Sequence, residues 1–466
     1  MTHVAIVGAY GSAGVAVAES LADAEEDVEL TLIDDGDPGG GLCILRGCMP
    51  SKAVLSAGAH RFQARHDDRL SGVPEVDLSS VVETKDEQVL GFAEHRRAAV
   101  HDLAEREDVE FLHETARFTG PHTLAVGDRE IEADYVVIAT GSTLNVPDLP
   151  GIEEVDPMGS AEVLDTTAFP DSGIVMGFGY VGLELAPYLA EAAGMDLTVI
   201  EHDERPIDEA PPEYGDAVLE LYREAFGIEV LTNARERSVE ATAEGGVRME
   251  LDCEGERETI EADQLFTFTG RKPNLDRLGI ETTELSPEAG WVEETMQARD
   301  DPRTFVVGDV NGHEPILHVA KEQGVRAAEN VLAHSEGRDL EPYENVHHHV
   351  IFSGLGVYPF ARVGHTAESA REAGYDPIEV SRQASDDGVF KVKNVPEGLA
   401  TLVVARDGTV LGYQGLHHHA DSMAKTMQIV VELGLDVREL PDRAYHPTLP
   451  EILDGLFREA SAEVRE

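Results

Sequence analysis

The chain opens on an apolar run from His3 to Gly8, which passes through Gly8-Ala9-Tyr10-Gly11-Ser12-Ala13-Gly14 into a helical spacing of apolar residues from Val15 to Ala24. A second apolar run, Val28 to Ile33, ends in Asp34. Short apolar runs bounded by glycine read as buried strands, and apolar recurrence at helical spacing reads as a helix. Strand, glycine turn, helix, strand and acidic residue is the order of a dinucleotide-binding βαβ unit. Its glycines let the backbone approach a pyrophosphate at a helix N-terminus, and its carboxylate accepts from a ribose hydroxyl. The glycine spacing is irregular, however. Gly11 and Gly14 take the last two places of G-x-G-x-x-G, and either Ala9 stands in the first or Tyr10 is inserted after Gly8.

A second copy is regular. Gly173 to Met176 predicts a strand, Gly177-Phe-Gly179-Tyr180-Val-Gly182 is a complete fingerprint, Leu183 to Ala193 predicts a helix, and Leu197 to Ile200 predicts a strand ending in Glu201. Two such units in one chain imply two different cofactors. Three further short strands end in Thr140-Gly141-Ser142, in Gly270-Arg-Lys-Pro-Asn274 and in Gly308-Asp309. From about Glu341 short strands (Val350 to Phe352, Leu399 to Val404, Val410 to Tyr413) alternate with helices near Thr366 to Ala373 and Asp421 to Leu433, an α+β pattern without another glycine fingerprint.

Composition narrows the partners. The 466 residues carry 36 Lys+Arg against 91 Asp+Glu, a formal net charge of −55, while 42% are hydrophobic. That length supports several domains with real cores, and the field repels phosphate backbones and anionic lipid, which argues against nucleic acid and membrane surfaces as partners. The acid excess is spread in short clusters such as Glu25-Glu26-Asp27 and Asp386-Asp387. It reads as a solvated coat suited to a saline cytoplasm, where salt screens the self-repulsion. There is no secretory leader pattern and no apolar run of membrane-spanning length, so a soluble cytoplasmic protein is expected.

Three cysteines, Cys43, Cys48 and Cys253, form no secreted disulfide framework. Cys43 and Cys48 follow Gly39-Gly40-Gly41 and precede Met49-Pro-Ser-Lys52. A thiol pair at a helix entry can close into a disulfide, and a helix N-terminus favours the thiolate. A redox-active pair is the better reading than inert core cysteines or a zinc site, for which ligands are lacking. Cys253, in an apparent strand from Arg248, reads as a small buried hydrophobe. Near the C-terminus, His446-Pro-Thr-x-x-Glu451 offers an imidazole for proton transfer and a carboxylate to hold it.

Taken together, Gly40-Gly41-Leu42-Cys43 with Cys48-Met-Pro-Ser-Lys52, Ala139-Thr140-Gly141-Ser142, the second fingerprint with Glu184, Gly270-Arg-Lys-Pro-Asn274, Gly308-Asp309 and His446-Pro-Thr-x-x-Glu451 resemble the flavin-dependent pyridine nucleotide disulfide oxidoreductases, over essentially the whole chain. That family includes dihydrolipoamide dehydrogenase, glutathione reductase and mercuric reductase. The resemblance implies an α/β fold of two Rossmann-like domains plus a C-terminal α+β dimerisation domain. It divides the chain into an FAD-binding domain at 1–150 and 271–337, an NAD(P)-binding domain at 151–270 and a dimerisation domain at 338–466. It further implies that Cys43 is the interchange thiol and Cys48 the thiolate facing the flavin. Lys52 and Glu184 become the pair beside the flavin's redox ring, and Asp309 the ligand of its ribityl chain. His446 and Glu451 form an acid/base dyad that reaches into the other subunit of a homodimer. On the same basis Gly8, Gly11, Gly14, Asp34, Gly41, Lys52, Thr140, Gly141 and Ser142 face FAD, and Gly177, Gly179, Tyr180, Gly182, Glu201 and Gly270 face NAD. No resident metal is implied.

Several positions depart from the family. Leu42 replaces the usual Thr before the first cysteine, and Leu45 with Arg46 replaces the polar position between the cysteines. Glu201 favours NAD, whereas His202 and Arg205 could meet the phosphate of NADP. Dihydrolipoamide oxidation is the first expectation, with a lipoyl-bearing 2-oxoacid dehydrogenase complex as a partner. NADPH-dependent reduction of glutathione or bis-γ-glutamylcystine is the alternative, since Tyr180 resembles the tyrosine that gates the nicotinamide pocket in the glutathione reductase branch. Mercuric reductase fits less well because His446 and the absence of a terminal cysteine pair argue against it, and a non-catalytic flavoprotein scaffold fits least. The runs His347-His348-His349 and His417-His418-His419 read as packing or interface residues, because adjacent strand residues point to opposite faces.

Overall fold

The computed structural model describes residues 1–465. They form two compact units: Met1–Pro50, Glu83–Asn145 and Arg271–Asn345 in one, and Ser51–Val82, Val146–Gly270 and the chain from Val346 onward in the other. Residues 51–82, which fall inside the expected segment 1–150, group with the second unit.

The first unit is built on a six-stranded sheet with Thr2–Val7 inside it, paired in parallel to Val28–Ile33 on one side and to Tyr135–Ile138 on the other. Val109–Leu112 and Asp301–Val306 extend it in parallel. Parallel strands are covered on both faces and so read as nearly unbroken apolar runs, as all four residues of Tyr135–Ile138 do. Side chains alternate between faces. Val4, Ile6, Leu30 and Leu32 pack with the helices Ser12–Ala22 and Leu317–Ser335, whereas Ala5, Val7 and Ile33 pack with the antiparallel strands Ala116–Gly120, Thr123–Val126 and Arg129–Glu132.

The second unit repeats the theme in a four-stranded parallel sheet ordered Glu229–Leu231, Asp196–Ile200, Ser172–Met176, Gln264–Thr267. A three-stranded antiparallel sheet, Ala234–Ala241, Val247–Cys253 and Glu256–Ala262, shares a hydrophobic cluster with that parallel sheet, Val239, Met249 and Leu251 packing with Ile174, Met176, Ile200 and Leu265. The C-terminal part is a five-stranded antiparallel sheet, residues 348–417, joined by the helices Ala420–Glu432 and Glu451–Arg465. One core joins it to the nucleotide-type sheet, with Tyr214, Phe266, Phe360 and Tyr413 fully buried, and the Tyr214 hydroxyl donates to Thr401 Oγ1 at 2.9 Å.

The apolar runs marked from sequence are strands within a residue or a few of the expected bounds. Both fingerprint helices start early, at Ser12 rather than Val15 and at Tyr180 rather than Leu183, because the last glycine of each turn already lies inside the first helical turn. The sequence reading did not mark the helix Leu78–Leu103, whose charged positions dilute the apolar stripe, or the closing helix Glu451–Arg465, although Ile452, Leu453, Leu456, Phe457 and Ala460 recur there at helical spacing and are buried. Among the described residues no helix is long and apolar enough to cross a membrane.

Candidate functional site

The two glycine turns can be superposed by what each glycine touches. Gly8 and Gly177 both have positive φ, +98° and +95°. A Cβ on Gly8 would lie 2.3 Å from Ala139 O, and one on Gly177 2.6 Å from Phe268 O, so each first glycine is set by the neighbouring strand. Each third glycine is set by the first: a Cβ on Gly14 would lie 2.2 Å from Gly8 O, and one on Gly182 2.3 Å from Gly177 O. Gly8 is therefore the first glycine of its turn, Ala9 does not stand in for it, and Tyr10 is the insertion.

Tyr10 is absorbed into the core. Its ring is 3% exposed and 5.1 Å from Phe111, and its hydroxyl pairs with His101 Nε2 at 2.9 Å. Its N–H donates to Asp34 Oδ2 at 2.9 Å while Gly36 N–H donates to Oδ1 at 2.8 Å, so both carboxylate oxygens aim back at the turn. Burial pulls the Asp34 carboxyl above its ordinary value, and the two N–H groups only partly oppose it.

Sequence reasoning missed Arg96. Its guanidinium lies 3.3 Å from Tyr10 O and 3.5 Å from Ser12 Oγ, at the N-terminus of the helix Ser12–Ala22. It forms no ion pair with a carboxylate among the described residues, and burial pulls its pKa down. A half-buried cation with no carboxylate in ion-pair contact, feeling Glu19 only at longer range, beside a glycine turn and a helix N-terminus suits a pyrophosphate. The only hint in the sequence was an Arg96-Arg97 pair in a mostly acidic helix. Gly41, at φ +77°, closes on the same turn, its Cβ position 3.1 Å from Gly11 Cα.

Farther along this unit, Ser142 Oγ donates to Asp309 Oδ2 at 2.7 Å and accepts from Arg271 Nε at 2.9 Å. Thr140 Oγ1 donates to Asn274 O at 2.9 Å, and Gly141, at φ +69°, has open space where a Cβ would stand. Thr140, Gly141, Ser142 and Asp309 are thus brought together, with Arg271 and Asn274 as the connecting residues. These groups leave room and hydrogen-bonding capacity for a polyol chain.

Cys43 lies in the short helix Leu42–Leu45, and Cys48 begins the helix Cys48–Arg65. Both are free thiols. The Cys43 thiol is pushed well up, first by its hydrogen bond to Cys48 and then by burial, with Arg96 opposing. The two sulfurs are thus within hydrogen-bonding reach of each other. Lys52 stands one turn after Cys48, its Nζ 2.6 Å from Glu184 Oε2 and 4.2 Å above the Phe352 ring. Phe352 N–H donates to Glu184 Oε1 at 3.2 Å. Phe352, another residue the sequence did not single out, therefore fixes both members of the expected pair.

In the second turn Gly179 has open space at its Cβ position and caps the helix Tyr180–Glu191, and Gly270 is likewise open, at φ +82°. Glu201 accepts from Asp203 N–H at 2.9 Å, and burial raises its carboxyl above the ordinary value. His202 Nε2 is 2.6 Å from Glu236, and Arg205 Nε is 2.6 Å from Asp216. Both cations considered for a 2′-phosphate already face carboxylates.

His446 Nδ1 is 3.0 Å from Glu451 Oε1, and Thr448 N–H donates to the same oxygen at 2.9 Å. Glu451 is held below its ordinary value by Thr448 N–H and by His446, with burial opposing, so it stays ionised and fixes the ring. The imidazole is 79% exposed and its Nε2 is free among the described residues. Among those residues no group of three or more His, Cys, Asp or Glu side chains is arranged to hold a metal ion. In the first histidine run, His347 and His349 share a face with rings 5.0 Å apart, whereas His348 bonds Val346 O.

The sequence model of the pyridine nucleotide-disulphide oxidoreductases matches residues 2–324, and that of their dimerisation domain matches residues 350–456. The chain belongs to this family. It is 28% identical to a dihydrolipoyl dehydrogenase of Halobacterium salinarum, covering 97% of this chain and 94% of that one. It is also 28% identical to a mercuric reductase of Bacillus cereus, covering 92% and 67% respectively. Among solved structures, LpdA from Mycobacterium tuberculosis superposes with a TM-score of 0.83 at 22% identity, covering 98% of this chain and 99% of that one. The HOCl-induced flavoprotein disulfide reductase RclA from Escherichia coli superposes with 0.82 at 22%, covering the same shares. Two Rossmann-like domains and a dimerisation domain are the architecture of this oxidoreductase, a flavoprotein acting on disulfides.

Proposed function

We propose that this oxidoreductase is an FAD-dependent homodimer that oxidises dihydrolipoamide with NAD⁺, giving lipoamide, NADH and a proton. Residues 1–150 and 271–337 serve FAD, 151–270 serve NAD, and 338–466 form the dimer interface. The observation that carries the reading is the helix Cys48–Arg65, which carries Cys48 and, one turn on, Lys52, whose Nζ meets Glu184 of the helix Tyr180–Glu191. Bound FAD supplies the two-electron relay that thiols and nicotinamide lack between themselves. Arg96, Gly11, Gly14 and Gly41 hold its pyrophosphate, Asp34 its ribose, and Asp309 with Ser142 its ribityl chain. Lys52 and Glu184 orient the nicotinamide face.

His446, serving the other subunit's thiol pair, takes a substrate thiol proton. The resulting thiolate attacks the Cys43–Cys48 disulfide at Cys43 and releases Cys48 as thiolate. The second substrate thiol then displaces Cys43; the proton on His446 passes to the departing Cys43 sulfur, and the second thiol's proton takes its place on His446, to leave as the proton of the overall reaction. Glu451 stabilises the imidazolium throughout.

NAD is preferred because Glu201 presents a carboxylate where a 2′-phosphate would sit, and His202 and Arg205 are engaged elsewhere. Relatives named dihydrolipoyl dehydrogenase support the substrate, and a lipoyl-bearing 2-oxoacid dehydrogenase complex is the corresponding partner. The acidic coat suits a saline cytoplasm, in line with the relative from Halobacterium salinarum.

The test is His446→Gln in the purified holoenzyme. NADH should bleach the flavin at the wild-type rate, while turnover of lipoamide falls by about 10²- to 10⁴-fold. Unchanged lipoamide turnover refutes the dyad. Faster wild-type turnover of bis-γ-glutamylcystine with NADPH replaces the substrate assignment.

A further inference from the structure

The helices Cys48–Arg65 and Tyr180–Glu191 are tied to each other at two places. Near their starts Lys52 meets Glu184, and toward their ends Arg61 and Arg65 both reach Glu191. Glu184 and Glu191 are about two turns apart and share one face of their helix. Lys52 and Arg61 instead stand about half a turn apart around theirs, on opposite flanks of the buried stripe that holds Leu55 and Phe62. A helix tied on one flank can still roll about its axis. Tied on both flanks to one face of its neighbour, it cannot.

The second tie is buried. The Glu191 side chain is 2% exposed and both its oxygens are engaged: Arg61 Nη1 donates to Oε1, and Arg65 Nη2 donates to Oε2 at 2.5 Å while its Nε lies 3.2 Å and 3.1 Å from the two. Arg65 Nη2 also donates to Ala225 O at 2.7 Å, at the end of the helix Pro212–Ala225. Guanidinium–carboxylate pairs of this kind fix angle as well as distance. The packing beside them is apolar, with Phe62 stacked on Phe226 at 4.5 Å between centroids and 18° between planes, and such contact supplies attraction but little direction. An apolar trio of like volume would hold the two helices together at least as firmly, because burying charges costs desolvation that the pairing barely repays. What the charges add is geometry, and in a chain with 36 basic residues against 91 acidic ones this single carboxylate takes two arginines.

We infer that Glu191, gripped by Arg61 and Arg65, is a positioning residue: it sets the roll of the helix Cys48–Arg65 and so keeps the Lys52 ammonium on Glu184. The inference rests on the proposed nicotinamide role of the Lys52–Glu184 pair. Lys52 carries its charge on a flexible stem, so its mean position follows the helix beneath it. With Glu191 neutralised, two guanidiniums face each other without their carboxylate, the helix is freed to roll, and Lys52 spends more time off Glu184. The turn from Gly177 to Gly182, which takes the nucleotide in this reading, is untouched. The loss therefore falls on the rate of flavin reduction and not on the KM for NADH.

The test follows acetylation of Lys52 by acetic anhydride in the holoenzyme, read by mass spectrometry, beside stopped-flow bleaching of the flavin by NADH. The labelling rate reports the fraction of Lys52 released from Glu184. In Glu191→Gln, Lys52 should label about three- to tenfold faster, while the exposed Lys321 labels as in wild type. Bleaching should slow by about ten- to a hundredfold at unchanged KM. Glu191→Asp, which keeps the charge on a shorter stem, should fall between Glu191→Gln and wild type. The triple change Arg61→Met, Arg65→Met and Glu191→Leu should melt at or above the wild-type temperature yet label and bleach as Glu191→Gln does, and it decides alone if Glu191→Gln does not fold. Wild-type labelling or wild-type bleaching in the deciding variant, or labelling of Lys52 and Lys321 that rises together as the melting temperature falls, overturns the positioning role. A wild-type holoenzyme that NADH does not bleach overturns the functional reading, and the labelling of Lys52 then decides the role of Glu191 by itself.

Discussion

The same turn is built twice in this chain, once with a residue to spare. In both copies the outer glycines are dictated by backbone: the first by a carbonyl of the adjacent strand, the third by the carbonyl of the first. The stretch between the first and second glycines meets neither constraint, and there the first copy accepts Tyr10. The tyrosines of the two turns also differ in fate. Tyr10 is buried and tied to Asp34 and His101, whereas Tyr180, after the second glycine of its turn, stands half-exposed on the helix and leans on Glu209 and His349. A fingerprint thus tolerates insertion where only ligand space is bounded, and not where strand and helix backbones touch.

The strongest way to break this comparison is to add a methyl to each first glycine. Gly8→Ala and Gly177→Ala each force a Cβ to within 2.3 Å and 2.6 Å of a backbone oxygen. Each should cost about 2–4 kcal/mol of stability. Gly8→Ala should lose flavin on gel filtration, while Gly177→Ala should keep flavin and lose its bleaching by NADH. Loss of flavin from both variants would mean the two turns do not serve separate cofactors.

The carboxylates that end the second strands sharpen it next. Burial raises Glu201, so between its unfolded and folded pKa values the folded chain binds the extra proton. Stability contributed by this group therefore falls as pH rises through that window, while the ribose acceptor is lost as pH falls through it. Glu201→Gln should stabilise the fold slightly at neutral pH and weaken NADH binding by about ten- to a hundredfold. It should also remove the acid limb from the pH dependence of that binding. An acid limb that persists unchanged in calorimetric titrations would assign it elsewhere.

The smallest effect is expected at the insertion itself. Tyr10→Phe removes the bond to His101 but keeps the ring against Phe111, and should cost about 1 kcal/mol in denaturant unfolding with flavin affinity unchanged. A large drop in flavin affinity would make the hydroxyl part of the binding site rather than of the core.

Much of the site could be read without coordinates because its parts are local. The two βαβ orders, the Cys43–Cys48 spacing and the His446-Pro-Thr-x-x-Glu451 dyad each lie within a few dozen residues, so composition and spacing expose them. Arg96 and Phe352 were not legible as site residues, since each gains its role from a partner far along the chain, Tyr10 and Glu184. The irregular first turn stayed ambiguous for the same reason. Only Ala139 O, brought alongside by strand pairing, shows that Gly8 and not Ala9 is the first glycine.

The sequence by itself determined the element order, the paired fingerprints, the thiol spacing and the acidic coat, because hydrophobic period, turn chemistry and charge are properties of the chain. Tertiary structure decided which glycine leads the first turn, which cations are already engaged, and which fingerprint tyrosine is buried and which exposed. Those depend on what lies within a few ångströms in space, and chain position does not encode that distance.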